Sequence, residues 1–159
     1  MNITIKEFWG EEINVIIEQI ANLRITIFRE FPYLYDGNLE YERNYLATYA
    51  NSKNSVIIAA YDCDKLIGVS SGIAMSEETE EFCRPFLEQN YDINKIFYCG
   101  ETILLKEYRG QGIYTRFMQA RENHAKKCGF EIACFCAVER PQDHKLRPHN
   151  YQPLNCLVP

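Results

Sequence analysis

The residues best suited to chemistry lie in a glycine-rich loop, Arg109-Gly110-Gln111-Gly112, between a predicted strand and a predicted helix. Glycines allow a sharp turn and a close approach of the backbone to a ligand. The first N–H groups of a helix have no partner within the helix, and the helix dipole adds positive potential there. We therefore expect the loop to bind an anion such as a phosphate or pyrophosphate, with Arg109 adding positive charge beside it.

Two well-known phosphate-binding loops fit this segment poorly. A Walker loop needs a Lys-Ser/Thr pair after its last glycine, whereas Ile113-Tyr114 follows here. The dinucleotide fingerprint needs a third glycine, which is missing, and Glu139 supplies an acidic residue only near the expected place. Two alternatives stay open: a nucleotide-phosphate binder, and an ordinary strand-to-helix turn whose glycines serve geometry alone.

The elements that position the loop follow from hydrophobic periodicity, in the order strand, helix, helix, two strands, strand, helix, strand. The predicted ranges are about 3–8, 9–27, 39–49, 55–61, 66–74, 96–105, 112–127 and 132–138, with one or two short surface helices within 77–91. The last strand–helix–strand unit implies a parallel crossover, and the central hairpin is antiparallel. We therefore expect an α/β fold of the α+β type, with a mixed, mostly antiparallel sheet flanked by helices on both faces, as a single domain over residues 1–159.

Composition excludes several classes of protein. The 159 residues are 47% hydrophobic and 25% charged, which is typical of a globular domain, and the net charge of −5 argues against nucleic-acid binding. No apolar run has the length of a signal peptide or a membrane span, so we expect a cytoplasmic protein that does not bind membranes. The seven cysteines form no CxxC pair, so we expect no metal site and mostly buried free thiols.

The loop resembles the acyl-CoA loop of the GNAT superfamily of N-acetyltransferases, which follows a strand with the pattern Arg/Gln-x-x-Gly-x-Gly/Ala. Arg109 and Gly112 match that pattern, while Tyr114 replaces the small last residue and could crowd a pyrophosphate. The predicted order of elements is also that of the family, over about residues 3 to 151. The resemblance implies an enzyme that moves an acetyl group from acetyl-CoA to an amine by direct attack in a ternary complex.

The same resemblance implies how acetyl-CoA would be held. Main-chain N–H groups of the loop would bind the pyrophosphate, and main-chain groups at the strand end would pair with the pantetheine arm as though it were an extra strand. A bulge would splay this strand from the last one, and a main-chain N–H in the gap would polarise the thioester carbonyl. The cofactor-binding residues implied are Leu104, Leu105, Arg109, Gly110, Gln111, Gly112, Ile113, Tyr114 and Thr115.

Glu101 is the candidate catalytic base, because an amine is mostly protonated at neutral pH and must lose a proton before it attacks. It is an acidic residue in an otherwise apolar strand, where burial would raise its pKa. Alternatively, Glu101 points to solvent or only binds the ammonium group of the acceptor. Tyr151 is the candidate acid that protonates the leaving thiolate, and Tyr114 and Tyr108 are alternative candidates for that role.

The loop after the last strand resembles a loop of one GNAT subgroup, an Arg-Pro-x-Asp-His segment followed by Tyr-x-Pro-Leu. It makes Arg140, Asp143 and His144 candidate substrate-binding residues, unless they are solvated side chains of a turn. The expected partner is a small-molecule or peptide amine, and the acidic surface mildly favours a cationic one.

The sequence ends where the family normally continues with a helix and two strands, so we expect the C-terminal part of the fold to be missing. Asn155-Cys156-Leu157 stands where subgroup members have an acidic residue and a Phe-Trp pair. Three explanations of the missing C-terminal part stay open: deliberate shortening of the chain, natural truncation, and completion of the sheet by another copy of the protein. Because an uncovered sheet edge favours self-association, we expect a homo-oligomer. The alternative function is a catalytically silent acyl-CoA-binding or interaction module.

Overall fold

Alternating and β-branched runs of the sequence form a five-stranded sheet in the computed structural model, which describes residues 2–153. The strands lie in chain order, the first four pair antiparallel, and the fifth pairs parallel with the fourth. This is the mixed, mostly antiparallel sheet that the sequence predicts. The strands are β1 (Ile3–Phe8), β2 (Val56–Asp62), β3 (Lys65–Ala74), β4 (Ile96–Leu104) and β5 (Ile132–Phe135).

Helices cover both faces of the sheet, and each face has its own apolar cluster. The helices are α1 (Ile17–Phe28), α2 (Leu39–Asn51), α3 (Glu80–Glu88) and α4 (Ile113–Lys127). Side chains of β2 alternate between the clusters: Ile57 packs with α1 and α2, and Ile58 packs with α4. Because β2 is buried on both faces, it reads as a continuous apolar run.

Two elements differ from their predicted ranges by more than two residues. The single long helix predicted from Trp9 to Ile27 is a 3₁₀ segment, Gly10–Val15, followed by α1, because Ile16 leaves helical geometry at φ −118°. Trp9 lies outside both segments and is 43% exposed. The last strand ends at Phe135 rather than Val138.

The cysteines are less buried than expected. Within residues 2–153 all of them are free thiols, but only Cys83 and Cys99 are buried, while three are exposed. Cys156 and the rest of 154–159, on which the expectation of a missing C-terminal part depends, lie outside the described residues. In the described part of the chain, no helix combines the length and apolar character needed to cross a membrane.

Candidate functional site

The pairing of β4 with β5 stops halfway along β4 and leaves a gap between them. β5 pairs with Ile96–Cys99 of β4. β4 continues from Gly100 to Leu104, whereas the chain leaves the sheet after Phe135. The two strands therefore lie side by side at one end and are open at the end nearest the glycine loop.

A bulge in β4 lies where the gap begins. In the pairing with β3, Thr102 lies opposite Ser70 and Cys99 lies opposite Gly72. Two residues of β4, Gly100 and Glu101, therefore stand against one residue of β3. A bulge of this kind increases the local twist and turns the strand away from its neighbour.

The bulge depends on a glycine. A Cβ at Gly100 would lie 2.5 Å from Oη of Tyr49 and 2.6 Å from Oγ of Ser71. The same Ser71 Oγ accepts a hydrogen bond from the N–H of Glu101 at 3.0 Å. Gly100 thus lets the backbone approach two side chains that hold the bulge in place.

We expect Gly100→Ala to lower the free energy of unfolding by about 1–3 kcal/mol, because the added methyl group overpacks the bulge. Urea denaturation measures the change. The second substitution Tyr49→Phe removes the nearer oxygen, so the double variant should regain part of the loss. Wild-type stability of Gly100→Ala would contradict the close contact.

Main-chain groups of Thr102 and Leu104 face the gap. The N–H of Leu105 donates to the carbonyl of Ile67 on β3 at 2.9 Å, and its carbonyl accepts from the N–H of Tyr108 at 3.0 Å. Successive residues of a strand turn their main-chain groups to opposite sides, so those of Thr102 and Leu104 point away from β3. Leu105, which the sequence analysis also expects to offer main-chain groups to the gap, instead uses both of them within the fold, and Thr102 turns its main-chain groups to the gap.

The glycine loop has the geometry that the sequence predicts. Gly110 and Gly112 have φ of 77° and 74°, and no atom lies within 4 Å of where a Cβ would stand on either. Gly112 precedes the first residue of α4 and leaves that helix without a side-chain cap, so N–H groups of Ile113, Tyr114 and Thr115 keep their hydrogen-bonding capacity.

Arg109 braces this loop. Its Nε donates to the carbonyl of Leu104 at 3.0 Å, and its Nη2 lies 3.2 Å from Glu30. The guanidinium is half-exposed, and its pairing with Glu30 offsets part of the charge that it brings to the start of α4. Gln111 contributes a hydrogen bond of its own, from Nε2 to the carbonyl of Glu107 at 3.2 Å.

A cavity of about 400 Å³ opens beside the gap. Aromatic residues are the largest group in its wall, which also includes three charged side chains. The aromatic residues are Phe28, Tyr33, Tyr45, Phe82, Tyr98, Tyr114, Phe135 and Tyr151, and the charged ones are Arg24, Glu101 and Arg121. Gly100 and Thr102 contribute the edge of β4, so the cavity and the gap are continuous.

Glu101 belongs to a buried ionic network in the cavity wall. The guanidinium of Arg24 contacts the carboxylates of both Glu101 and Glu42, and it lies 4.4 Å from the ring of Tyr45. Burial alone would lower the pKa of Arg24, but the charge of Glu101 and hydrogen bonds to both carboxylates raise it overall. Arg24 is therefore a fixed cation between two carboxylates.

The hydroxyl groups beside Glu101 keep their protons. Tyr45 donates to Oε2 of Glu101 at 3.4 Å and lies 3.2 Å from the hydroxyl of Tyr49. Burial, and then the charge of Glu101, raises the pKa of both tyrosines. The Glu101 carboxylate thus has a guanidinium on one oxygen and a neutral phenol near the other.

The loop after β5 is fastened to the segment between α1 and α2. Arg140 donates from Nε to the carbonyl of Pro32 at 2.7 Å and from Nη2 to that of Tyr33 at 2.8 Å. The rings of His144 and Tyr151 pack against Phe31, with centroids 5.6 and 4.7 Å away. These contacts close one side of the cavity.

The residues predicted to bind the substrate or to act as the acid lie partly in the cavity wall and partly outside it. Tyr151 and Tyr114 line the cavity, whereas Asp143 and His144 do not, and Asp143 is exposed. Arg140 uses its guanidinium on backbone carbonyls beside a smaller adjoining cavity. Tyr108 is wrong as an acid for the thiolate, because its hydroxyl donates to Asp62 at 3.0 Å and lies outside the cavity wall.

Sequence reasoning missed three charged residues of the site, Arg24, Glu42 and Arg121. Each is buried on a helix, and Arg24 and Arg121 lie in the middle of apolar stripes. Arg24 is one turn after Ile20, and Arg121 is one turn after Phe117. A charged residue at the spacing of buried apolar neighbours was the signal that could have found them. Within residues 2–153, no group of His, Cys, Asp or Glu is arranged to hold a metal ion.

Solved structures share this fold at low sequence identity. One is AAC(6')-Iy in complex with the bisubstrate analogue CoA-S-monomethyl-acetylneamine, with a TM-score of 0.61, 11% identity, and coverage of 90% of this chain and 83% of that one. Another is an aminoglycoside acetyltransferase from an uncultured soil metagenomic sample in complex with sisomicin. Its TM-score is 0.57 and its sequence identity 17%, with coverage of 94% of this chain and 95% of that one. A third is a ribosomal-protein-alanine N-acetyltransferase from Brucella melitensis biovar Abortus 2308. Its TM-score is 0.56 and its sequence identity 12%, with coverage of 89% of this chain and 82% of that one.

Sequence comparison assigns the family. No curated protein gives a significant match. The sequence profile described as the acetyltransferase (GNAT) family matches residues 17–148, which span α1, the bulge, the glycine loop and most of the loop after β5. The match covers most of the chain and the elements that form the gap and the cavity, so the chain belongs to the acetyltransferase (GNAT) family and is an acyltransferase.

Proposed function

We propose that the protein transfers an acetyl group from acetyl-CoA to the nitrogen of a small-molecule amine by direct attack. A C–N bond forms, the C–S bond of the thioester breaks, the nitrogen loses a proton, and the leaving thiolate takes one up. The observation that carries this proposal is the open pair β4 and β5, which leads from the glycine loop directly into a cavity walled by Glu101.

The donor half of the proposal rests on main-chain groups. The uncapped start of α4 offers N–H groups of Gln111, Gly112, Ile113, Tyr114 and Thr115 to a pyrophosphate. The main-chain groups of Thr102 and the N–H of Leu104, whose carbonyl already accepts from Arg109, offer strand hydrogen bonds to the pantetheine arm. The thioester then lies at the bulge, where the gap meets the cavity.

The acceptor half rests on the cavity wall. Its aromatic surface suits an amine carried on an apolar or aromatic body. Within residues 2–153, that wall contains one carboxylate, Glu101, against the two guanidinium groups of Arg24 and Arg121. An acceptor with many ammonium groups would therefore find few compensating charges, and we favour an acceptor with a single amine.

Two side chains in the wall have the proposed chemical roles. Glu101 accepts the proton of the amine, directly or through water, and Tyr151 gives a proton to the thiolate. Arg140 and His144 position the loop that carries Tyr151. Asp143, at the exposed surface of that loop, is proposed to contact only the outer part of an acceptor.

A catalytically silent acyl-CoA-binding module is the second candidate. The observation that favours it is that Arg24 and Tyr45 already contact the Glu101 carboxylate. Release of free thiol from acetyl-CoA, measured with a panel of aromatic and aliphatic monoamines, separates the two. Turnover with any amine supports the enzyme, whereas acetyl-CoA binding without turnover across the panel supports the module.

We expect Gly112→Ala to weaken acetyl-CoA binding by about tenfold or more, because the methyl group occupies the space where a pyrophosphate would approach the backbone. Isothermal titration calorimetry measures the affinity. Gly129→Ala is a matched control, since Gly129 also has positive φ (82°) and open space around its Cβ position but lies at the other end of α4. Equal losses in the two variants would count against the loop as the binding site.

A further inference from the structure

Arg121 is a buried cation that the described residues leave without a carboxylate partner. Its side chain rises from α4, and the residue is only 4% exposed. Its Nη1 donates to the carbonyl of Ser71 at a long 3.5 Å, and its Nη2 lies 2.7 Å from Sδ of Met118. No atom within residues 2–153 accepts a hydrogen bond from its buried Nε.

Arg24 shows how this protein compensates a buried guanidinium elsewhere. Arg24 is 7% exposed and contacts two carboxylates, Glu42 and Glu101. Arg121 is more deeply buried, and its hydrogen-bond partners within residues 2–153 are a backbone carbonyl and a thioether. Arginine does not lose its charge in a protein, and an unpaired buried charge is costly. The contrast indicates that an anion from outside the described chain completes the surroundings of Arg121.

The position of Arg121 shows where such an anion would enter. Arg121 comes from α4, on the face of the sheet opposite α1 and α2. It lines the cavity together with Gly100 and Thr102 of β4 and with Phe135, which ends β5. A group that reaches Arg121 therefore passes between the two strands, and under the proposed function that gap holds the acyl thioester.

We propose that Arg121 binds a carboxylate at the far end of the donor's acyl chain, so that the protein also accepts CoA thioesters of dicarboxylic acids, of which succinyl-CoA is an example. This inference rests on the proposed function, because it takes the gap to be the thioester site. A guanidinium holds a carboxylate through two parallel hydrogen bonds, and the free Nε belongs to such a pair. Of the two guanidinium groups that the described residues contribute to the cavity wall, Arg24 is already paired with two carboxylates, which leaves Arg121 to recognise it.

Calorimetric titration with acetyl-, butyryl- and succinyl-CoA tests the proposal on the full chain. The wild type should bind succinyl-CoA about tenfold more tightly than butyryl-CoA, an uncharged chain of the same number of carbons. Arg121→Met should remove this preference and leave the affinity for butyryl-CoA within about threefold, since an apolar side chain of similar length replaces a buried charge. Arg116→Met, on the exposed part of the same helix, should keep the preference.

The possible outcomes separate this inference from the proposed function. If acetyl- and butyryl-CoA bind but succinyl-CoA has no advantage in the wild type, or keeps its advantage in Arg121→Met, this inference is overturned and the proposed function stands. If no CoA thioester binds the wild type, the proposed function fails first. Should Arg121→Met fail to fold, Arg121→Lys serves in its place, and an undiminished preference in that variant would also overturn the role of the guanidinium fork.

Discussion

Glu101→Gln should lower kcat for acetyl transfer by about 100-fold or more and leave the affinity for acetyl-CoA unchanged. Glutamine has the same shape and can still accept from Arg24, so the fold should persist, but it cannot take a proton from the amine. Removal of a positioned base costs roughly 10²–10⁴-fold in rate. Thiol release at saturating acetyl-CoA measures kcat, and calorimetry measures the affinity.

Tyr45→Phe is the matched control for Glu101→Gln, because it removes a hydrogen bond to the same carboxylate without removing the base. We expect its kcat to fall much less. A rise in the KM for the amine with an unchanged kcat in Glu101→Gln would show that Glu101 binds the ammonium group instead. Retention of more than about half of the wild-type kcat would exclude Glu101 as the base.

Arg24→Met should lower the free energy of unfolding by about 3–5 kcal/mol, because it leaves Glu42 and Glu101 buried side by side without their shared cation. The variant also loses the packing of the guanidinium on the rings of Phe28 and Tyr45, at 4.8 and 4.4 Å. Urea denaturation at neutral pH measures the change.

Arg43→Met provides the comparison, since Arg43 pairs with Glu18 at the surface with two hydrogen bonds of 2.8 Å. An exposed pair contributes only about 0–1 kcal/mol, so this variant should stay close to wild type. Neutralising both carboxylates in the Arg24→Met background, by Glu42→Gln and Glu101→Gln, should restore most of the loss. A single Arg24→Met variant as stable as Arg43→Met would show that the network adds nothing to stability.

The parts of the fold that depend on local pattern could be predicted from the sequence. The alternation that begins at Ile3 and the break at Gly10 give β1, and the glycines with the periodicity after them give the loop and α4. The end of β5 could not be predicted, because the apolar run 132–138 continues beyond Phe135 while its pairing partner has already turned away at the bulge. Likewise, the stripe from Trp9 to Ile27 hides the break at Ile16, since 3₁₀ and α segments can both keep apolar residues on one side.

The candidate site also has one part that local sequence predicts and one part that depends on the packing of distant residues. Arg109–Thr115 is contiguous, so its chemistry can be read from neighbouring residues. The network of Arg24, Glu42 and Glu101 is formed by two helices and a strand, and its partners are 18 and 77 residues apart in the chain. Periodicity predicts that Arg24 lies on a buried stripe, but only the packing of α1 on α2 and β4 shows which carboxylates neutralise it.

The single added residue in β4 affects the edge of the strand that faces the gap. The bulge absorbs one residue of β4 against β3, so Thr102 and Leu104 keep the positions opposite β3 that an unbroken ladder would give them, while the twist of β4 increases at that point. Without that residue the extra twist would be lost, and β5 could continue its pairing with β4 beyond Cys99. A single residue in one strand is therefore the difference between an edge of β4 that β5 covers and an edge that is left open.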